Sequence, residues 1–276
     1  MSLDKVDATH HFLDLSDYAR PVARVLTRAL VPTSISPIHV TVVYTLIGFF
    51  AALLFATGSI TNAAIAGLLL IVKSTLDAVD GSLARARQHP SRVGRFLDSI
   101  CDYFINAAVF LGIAIAGNTG SLDRILLAFI ALESATWQGT AFNYYYVTYR
   151  TLTGGDTTSQ LKETGDERYP WDSPLVLKIL LHLYRVIYGW QDALLGKIDR
   201  RITPDRAAAI YRDKRVLTAT TAMGLGFQLL MIAVCAWLGH PHWALWLFSG
   251  PMNVYWVIII MIRYRVSHRS TDKVKG

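Results

Sequence analysis

The sequence predicts an all-α, polytopic membrane protein with six transmembrane helices and an N-terminal amphipathic helix at the membrane surface. Apolar residues make up 53% of the 276-residue chain, charged residues only 17%, and the mean hydropathy is +0.34. Soluble domains usually carry about 25% charged residues. No charged residue occurs between Arg28 and Lys73 or between Arg215 and Arg263. Each of these blocks is about twice the roughly 20 residues that one membrane-spanning helix requires.

Each apolar block contains a turn signal near its middle, at residues 58–62 and 239–242, and therefore predicts a helical hairpin. Two further apolar segments lie between the hairpins. The six predicted spans are 38–57, 62–80, 98–117, 122–149, 216–238 and 243–263.

The N-terminal segment, residues 1–37, is predicted to contain a helix that lies on the bilayer surface. A helix over residues 15–31 separates an apolar face from a basic one, which is typical of interfacial helices. The apolar face carries Val22, Val25, Leu26 and Leu30, and the basic residues are Arg20, Arg24 and Arg28.

The basic residues predict the orientation of the chain in the membrane. With these spans, all 27 Lys and Arg residues except Lys73 and Arg124 fall on one side. The positive-inside rule makes that side cytoplasmic. We therefore expect both termini, the basic amphipathic segment 150–215 and the tail 264–276 to face the cytoplasm. The net charge of +7 then reflects topology and contact with anionic lipids, and no nucleic-acid partner is expected.

Four aspartates occur at the cytoplasmic end of the predicted helices two and three. Asp77 and Asp80 are three residues apart, Asp98 and Asp102 are four apart, and each pair therefore shares one helix face. The predicted connection, 81–97, allows the two faces to meet. Four carboxylates that face each other would repel, so the pattern predicts one or two divalent cations. All-oxygen ligands favour Mg²⁺ or Mn²⁺.

These residues form part of a longer motif that resembles the signature of the CDP-alcohol phosphotransferase family. That signature is Asp-x₂-Asp-Gly-x₂-Ala-Arg-x₈-Gly-x₃-Asp-x₃-Asp. All eight fixed positions are present at the required spacing, as Asp77, Asp80, Gly81, Ala84, Arg85, Gly94, Asp98 and Asp102. The family transfers a phosphoalcohol group from a CDP-linked donor to the hydroxyl of an acceptor alcohol and releases CMP.

The resemblance implies a role for each carboxylate of the motif. Asp77, Asp80 and Asp98 would bind two Mg²⁺ or Mn²⁺ ions. Asp102 would contact a metal ion, act as the general base on the attacking hydroxyl, or do both. The resemblance also implies a homodimer in a bacterial or archaeal inner membrane, with the site facing the cytoplasm.

Other motif positions are implied to contact the cytidine nucleotide or shape the helix. Gly81, Ala84 and Arg85 would lie against the nucleotide, and Gly94 would permit a bend into helix three. Thr41 matches the threonine of the Pro-Asn-x-x-Thr element that commonly opens helix one in the family. The asparagine of that element is replaced by Ile38 in this chain.

The sequence leaves the substrates open. Family members use either CDP-diacylglycerol with a polar acceptor, or CDP-choline or CDP-ethanolamine with diacylglycerol. Glu133, Trp137 and Tyr145 on helix four are candidates to surround a quaternary ammonium group. Arg150 is a candidate to bind a phosphorylated acceptor instead.

Two other classes of protein would also place carboxylates at a membrane. An intramembrane prenyltransferase uses paired aspartates on diphosphates, but its two motifs lie in separate halves of a larger bundle, whereas Asp80 and Asp98 are close in this sequence. A divalent-cation transporter would carry acidic residues near the middle of several helices. Predicted helices one, five and six contain none, and helix four contains only Glu133 away from its ends.

Overall fold

The computed structural model describes residues 8–118, 120–155, 160, 168–203 and 211–275. Eleven α-helices form this part of the chain, which contains no β-strand. They are α1 (Arg20–Leu30), α2 (Pro37–Ala56), α3 (Ile60–Ala86), α4 (Arg92–Ala114), α5 (Leu122–Leu152), α6 (Pro174–Tyr184), α7 (Trp190–Ile202), α8 (Lys214–Thr220), α9 (Leu225–Trp237), α10 (Trp243–Ser249) and α11 (Pro251–Lys275).

Five helical segments are long and apolar enough to cross a membrane, and a bent pair can form a sixth span. The five are α2, α3, α4, α5 and the combined segment Trp243–Ser267 of α10 and α11. The sixth comprises Lys214–Met223 and Leu225–Trp237, which meet at an angle of 50°. The prediction of an all-α polytopic membrane protein is therefore confirmed, with a bend in the fifth predicted span.

The bend in this span occurs at Gly224, whose backbone is extended rather than helical. A short N-terminal turn packs into the break. The backbone N–H of Leu15 donates to Thr221 Oγ1 at 2.9 Å, and a Cβ atom on Gly226 would lie 2.0 Å from the carbonyl oxygen of Ser16. Glycine at position 226 thus permits the N-terminal segment to approach the break closely.

The junction between α3 and α4 is shorter than the sequence predicts. Helix α3 continues to Ala86 and α4 begins at Arg92, so the predicted boundaries at 80 and 98 were wrong. Ser91 caps α4, because its Oγ accepts a hydrogen bond from the backbone N–H of Gly94 at 2.9 Å. Consequently all four motif aspartates lie within helices, and Gly94 lies in the first turn of α4 rather than at a bend.

The N-terminal helix α1 has the amphipathic character that the sequence predicts. Ala23 and Thr27 are buried against the protein, and α1 packs on α3. Val22 and Val25 remain 57% and 64% exposed on the other side. An apolar face that the protein leaves uncovered is what an interfacial helix presents to lipid.

Residues Pro174–Ile202 form one continuous helical arm that packs against α4. The arm comprises α6, a π-helical segment (Arg185–Gly189) and α7. Leu177 and Leu181 of α6 are buried together with Phe96 and Ile100 of α4. The arm thereby forms a wall beside the carboxylate-bearing end of α4.

Candidate active site

Six of the eight motif residues line a cavity of about 350 Å³ at one end of the helix bundle. Its wall is built by the N-terminal segment, α3, α4, α5, the arm and α9. The motif residues in this wall are Asp77, Asp80, Gly81, Arg85, Asp98 and Asp102. Six separate parts of the chain therefore meet at one site.

Three of the four motif carboxylates form a compact cluster. Asp77, Asp98 and Asp102 each offer an oxygen atom, and these atoms all lie within 4.8 Å of one another. Carboxylates this close repel unless positive charge lies between them. Hard oxygen donors at this spacing fit a Mg²⁺ or Mn²⁺ ion, so the residues fit the divalent cation that the sequence predicts.

Two side chains of α2 donate hydrogen bonds to motif carboxylates. The hydroxyl of Thr41 donates to Asp80 Oδ2 at 2.7 Å, and the hydroxyl of Tyr44 donates to Asp98 Oδ1. Thr41 and Tyr44 are one helical turn apart and both buried. Helix α2 thus presents two donors that fix the orientation of carboxylates on α3 and α4.

Lys73 forms the third support of the carboxylates, and it is the most buried cation of the site. Its Nζ donates to Asp77 Oδ2 at 2.9 Å and to Asp102 Oδ1. Only 1% of its side chain is exposed, and Nζ lies 4.7 Å from the centre of the Tyr44 ring. The sequence indicates the contact with Asp77, four residues away, but carries no sign of the contact with Asp102 on α4.

The predicted nucleotide-binding residues occupy different places. Gly81 and Arg85 lie in the cavity wall, whereas Thr41 and Ala84 lie outside that wall as the described residues define it. Arg85 Nη2 donates to Ser82 Oγ at 3.2 Å. Arg20, from the start of α1, donates to the same hydroxyl at 3.1 Å. A second guanidinium, which the motif does not contain, therefore reaches this edge of the cavity.

Helix α5 contributes a polar stripe to the cavity. It consists of Thr136, Gly139, Thr140, Asn143, Tyr146 and Arg150. Arg150 is only 3% exposed, and its guanidinium lies 4.9 Å from the centre of the Tyr146 ring. Arg95 of α4 lines the same cavity. The site therefore contains buried and partly buried cations as well as the carboxylate cluster.

The other three predicted acceptor residues lie outside this cavity wall. Glu133 accepts a hydrogen bond from Tyr103 at 3.1 Å, and the Trp137 ring stacks on Trp190 at 6.2 Å. Tyr145 is buried in a separate cluster described below. On the part of the chain that the structure describes, only Arg150 of the four acceptor candidates lines the cavity.

The arm supplies cavity residues that the sequence analysis did not identify. Tyr184, Tyr188 and Asp192 line the cavity, and their spacing of four residues places them on one helix face. The hydroxyl of Tyr188 donates to the carbonyl oxygen of Ser99 at 3.0 Å. Burial, reinforced by the Asp102 charge, raises the pKa of Tyr188 well above its usual value. The hydroxyl of Tyr188 thus joins the arm to α4 as a hydrogen-bond donor.

Comparison with known proteins gives a family and several relatives. The sequence model described as CDP-alcohol phosphatidyltransferase matches residues 31–162. The archaetidylinositol phosphate synthase of Pyrococcus horikoshii is 37% identical over 98 residues, which are 36% of this chain and 50% of that protein. The phosphatidylinositol phosphate synthase of Mycobacterium marinum is 32% identical over 117 residues, 42% of this chain and 48% of that protein.

A longer relative matches a similar share of this chain. The bifunctional IPC transferase and DIPP synthase of Thermococcus kodakarensis is 32% identical over 111 residues, which are 40% of this chain and 24% of that protein. The chain spans about half the length of the two synthases above and less of the bifunctional protein.

Proposed function

We propose that this chain, of which residues 31–162 match the CDP-alcohol phosphatidyltransferase family model, transfers a lipid-linked phosphate group from a CDP-lipid donor to a phosphorylated polyol and releases CMP. The family match confirms the resemblance based on the eight motif residues. One observation carries the substrate proposal: a single cavity contains the carboxylate cluster and, on α5, the buried guanidinium of Arg150. Such a cavity suits two phosphorylated substrates, one of them bound through divalent cations.

Asp77, Asp80, Asp98 and Asp102 are proposed to hold Mg²⁺ or Mn²⁺. When bound, the cation supplies positive charge to the donor diphosphate and to the leaving phosphate. The chain prepares these carboxylates in advance. Because Thr41 and Tyr44 each donate to one carboxylate, the ligand oxygens are oriented before substrate arrives.

Asp102 is proposed to act as the general base. It would accept the proton of the acceptor hydroxyl as the acceptor oxygen bonds to the phosphorus atom that carries the lipid. The bond from that phosphorus to the bridging oxygen of CMP breaks, and CMP leaves with the electron pair. The hydrogen bond from Lys73 fixes Asp102 Oδ1, so the orientation of the carboxylate is set before substrate binds.

Gly81 and Arg85 are proposed to contact the cytidine nucleotide directly. Gly81 exposes its backbone in the cavity wall, and Arg85 offers a guanidinium one helical turn away. Thr41 and Ala84 lie outside the wall, so we propose that they act on the nucleotide only through Asp80 and through the close packing of α3.

The acceptor is proposed to be an inositol phosphate or a closely similar polyol phosphate. Arg150 is held in a buried position that faces the cavity, where its guanidinium can bind a phosphate with two hydrogen bonds. The printed names of the relatives, archaetidylinositol phosphate synthase and phosphatidylinositol phosphate synthase, support this acceptor. They also favour a lipid-linked CDP donor over CDP-choline or CDP-ethanolamine.

The distribution of basic residues supports a cytoplasmic position for the cavity and for both termini. We propose a bacterial or archaeal membrane as the location and a homodimer as the assembly, both from the family resemblance.

The test is CMP release by the purified full chain in detergent with Mg²⁺ or Mn²⁺. CDP-diacylglycerol and its archaeal diether counterpart are each combined with inositol phosphate, glycerol phosphate and unphosphorylated inositol. A further arm pairs CDP-choline with diacylglycerol. We expect release only with a CDP-lipid and a phosphorylated polyol, and its loss in Asp102→Asn. Release with unphosphorylated inositol alone, or only from CDP-choline, would overturn the substrate proposal.

A further inference from the structure

The helical arm, Pro174–Ile202, lies across the end of the bundle that carries the cavity. It contacts α4, α5 and α11 in turn, and α6 packs on the first turns of α4. Further along, Gln191 accepts a hydrogen bond from Thr140 of α5 at 2.8 Å. The carbonyl oxygen of Ile202 accepts one at 3.0 Å from Ser267, where the last candidate span ends. These contacts place the arm near the membrane surface at the cavity end.

The outer face of the arm carries a strip of apolar side chains. They recur every three or four residues and therefore share one side of the helix. The described part of the chain leaves each of them more than one-third exposed, and Val186 and Trp190 are 61% and 54% exposed. This apolar strip consists of Leu175, Ile179, Leu183, Val186, Trp190 and Leu194.

The charged side chains of the arm are sorted by sign between its two faces. Both carboxylates face inward, because Asp192 lines the cavity and Asp199 is buried. The lysines and arginines are all exposed, and they are Lys178, Arg185, Lys197, Arg200 and Arg201. The outer face of residues 174–202, which the structure describes in full, therefore carries cations and no carboxylate.

An apolar strip bordered by cations matches the interface of an anionic bilayer. The apolar side chains can enter the acyl region while the cations reach the lipid phosphates. A second copy of the chain fits this face less well. Two copies that met strip to strip would bring the cations of both arms together, and like charges repel.

We propose that the arm lies in the interface of an anionic bilayer, with its apolar strip among the acyl chains and its exposed cations on lipid phosphates. The opposite face supplies Tyr184 and Tyr188 to the cavity, so lipid contact on the outside holds this wall against α4. The inference rests on the membrane-spanning fold and is independent of the proposed reaction.

The first test measures the depth of the apolar strip in vesicles that contain phosphatidylglycerol. Cys101 and Cys235 are replaced by alanine in the full chain, and a nitroxide is attached to one new cysteine at a time. Oxygen concentrates in the acyl region, whereas a water-soluble nickel chelate stays outside it. We expect Ile179→Cys and Val186→Cys to favour collision with oxygen, as Leu46→Cys on the 64% exposed position of α2 should. Lys178→Cys, the adjacent position in the basic strip, should shift toward the nickel chelate.

Two results at the apolar strip would overturn the inference. Preferential collision with the nickel chelate at both Ile179→Cys and Val186→Cys would place the strip in water. Protection from both reagents would show that protein covers the strip, as in a dimer formed through the arm.

The second test retains both native cysteines and measures contact with lipid headgroups. Spin-labelled phosphatidylglycerol and phosphatidylcholine are compared by the fraction that the protein immobilises. We expect wild type to favour phosphatidylglycerol and the double variant Lys178→Gln/Arg185→Gln to lose much of that preference. The matched control Arg212→Gln/Lys214→Gln removes two other exposed cations and should retain it. No loss in the arm variant, or an equal loss in the control, would overturn the inference.

Discussion

Two buried clusters join acidic and basic side chains in this protein, and their charge balance differs. The active-site cluster gathers Asp77, Asp98 and Asp102 around one ammonium, that of Lys73. The second cluster, which joins α5, α7 and α11, contains Asp199 and Arg263. Asp199 also accepts hydrogen bonds from the hydroxyls of Tyr144 and Tyr211.

The comparison separates a structural cluster from one built to bind a ligand. In the second cluster the Arg263 guanidinium lies 3.7 Å from Asp199 Oδ1 and 3.7 Å from the centre of the Tyr145 ring. The two opposite charges thus offset each other within the protein, and neither residue lines the cavity. In the active-site cluster three carboxylates surround one ammonium, and this excess of negative charge favours the binding of a cation. Excess buried charge, rather than burial of charge itself, indicates function in this fold.

The largest expected effect comes from the matched substitutions Asp102→Asn and Asp199→Asn. Loss of a general base lowers rates by about 10²–10⁴-fold, so Asp102→Asn should lower CMP release to that extent while the protein stays folded. Asp199→Asn should leave release per folded molecule within about twofold, because Asp199 lies outside the cavity wall. Comparable losses in the two variants would break the distinction between the clusters.

For stability we expect the opposite order, with Asp199→Asn affected more than Asp102→Asn. Removing one partner of a buried ion pair costs about 3–5 kcal/mol, so Asp199→Asn should unfold at a markedly lower temperature than wild type in detergent. The measurement is thermal unfolding followed by loss of the monodisperse gel-filtration peak. An unfolding temperature equal to that of the wild type would show that the Asp199 cluster does not stabilise the bundle.

The next largest expected effect is the shift of the unfolding temperature on cation binding, which should also distinguish the two clusters. A ligand at 100 times its dissociation constant stabilises the folded state by about 2.7 kcal/mol, so Mg²⁺ should raise the unfolding temperature of wild type and a chelator should reverse the shift. Asp199→Asn should keep the shift and Asp98→Asn should lose it. Retention of the full shift in Asp98→Asn would place the cation elsewhere.

The smallest expected effect is on KM, when Arg150 is replaced. Arg150 and Arg263 are both buried, and the guanidinium of each lies over a tyrosine ring. Arg150 lies over Tyr146 at the cavity, and Arg263 lies over Tyr145 away from it. Charge-assisted hydrogen bonds contribute about 1.5–3 kcal/mol, so Arg150→Gln should raise KM for the phosphorylated acceptor roughly tenfold or more. Arg124→Gln, at the opposite end of α5, is the control and should leave KM unchanged. An unaltered KM in Arg150→Gln would remove Arg150 from the acceptor site.

The sequence predicts the parts of this fold that depend on local pattern. Long apolar blocks locate the spans, and the motif spacing identifies four carboxylates of the cavity, Asp77, Asp80, Asp98 and Asp102, but not Asp14, Asp17 and Asp192. The predicted helix boundaries near Asp80 and Asp98 were wrong because they were placed where charged residues begin. Charged residues do not by themselves end a helix. Arg92 and Arg95 continue α4, and the start of α4 depends on the cap at Ser91.

Contacts between distant parts of the chain were beyond sequence reasoning. Lys73 and Asp77 are four residues apart and their pairing is predictable, whereas the contact between Lys73 and Asp102 requires the packing of α3 on α4. The same holds for Ser16 and Gly226, whose close approach brings the N-terminal turn to the bend between α8 and α9. Neither sequence segment carries a local signal for the other.

The π-helical segment Arg185–Gly189 determines the direction in which the side chains of α7 face. Before it, Tyr184 faces the cavity, and after it Gln191 accepts a hydrogen bond from Thr140 at 2.8 Å. A π-turn holds one residue more than an α-turn. Deleting one residue there would rotate α7 by about 100°. Gln191 would then lose Thr140 and Asp199 would lose Arg263, so the length of this one turn keeps the wall of the cavity and the distant ion pair in register.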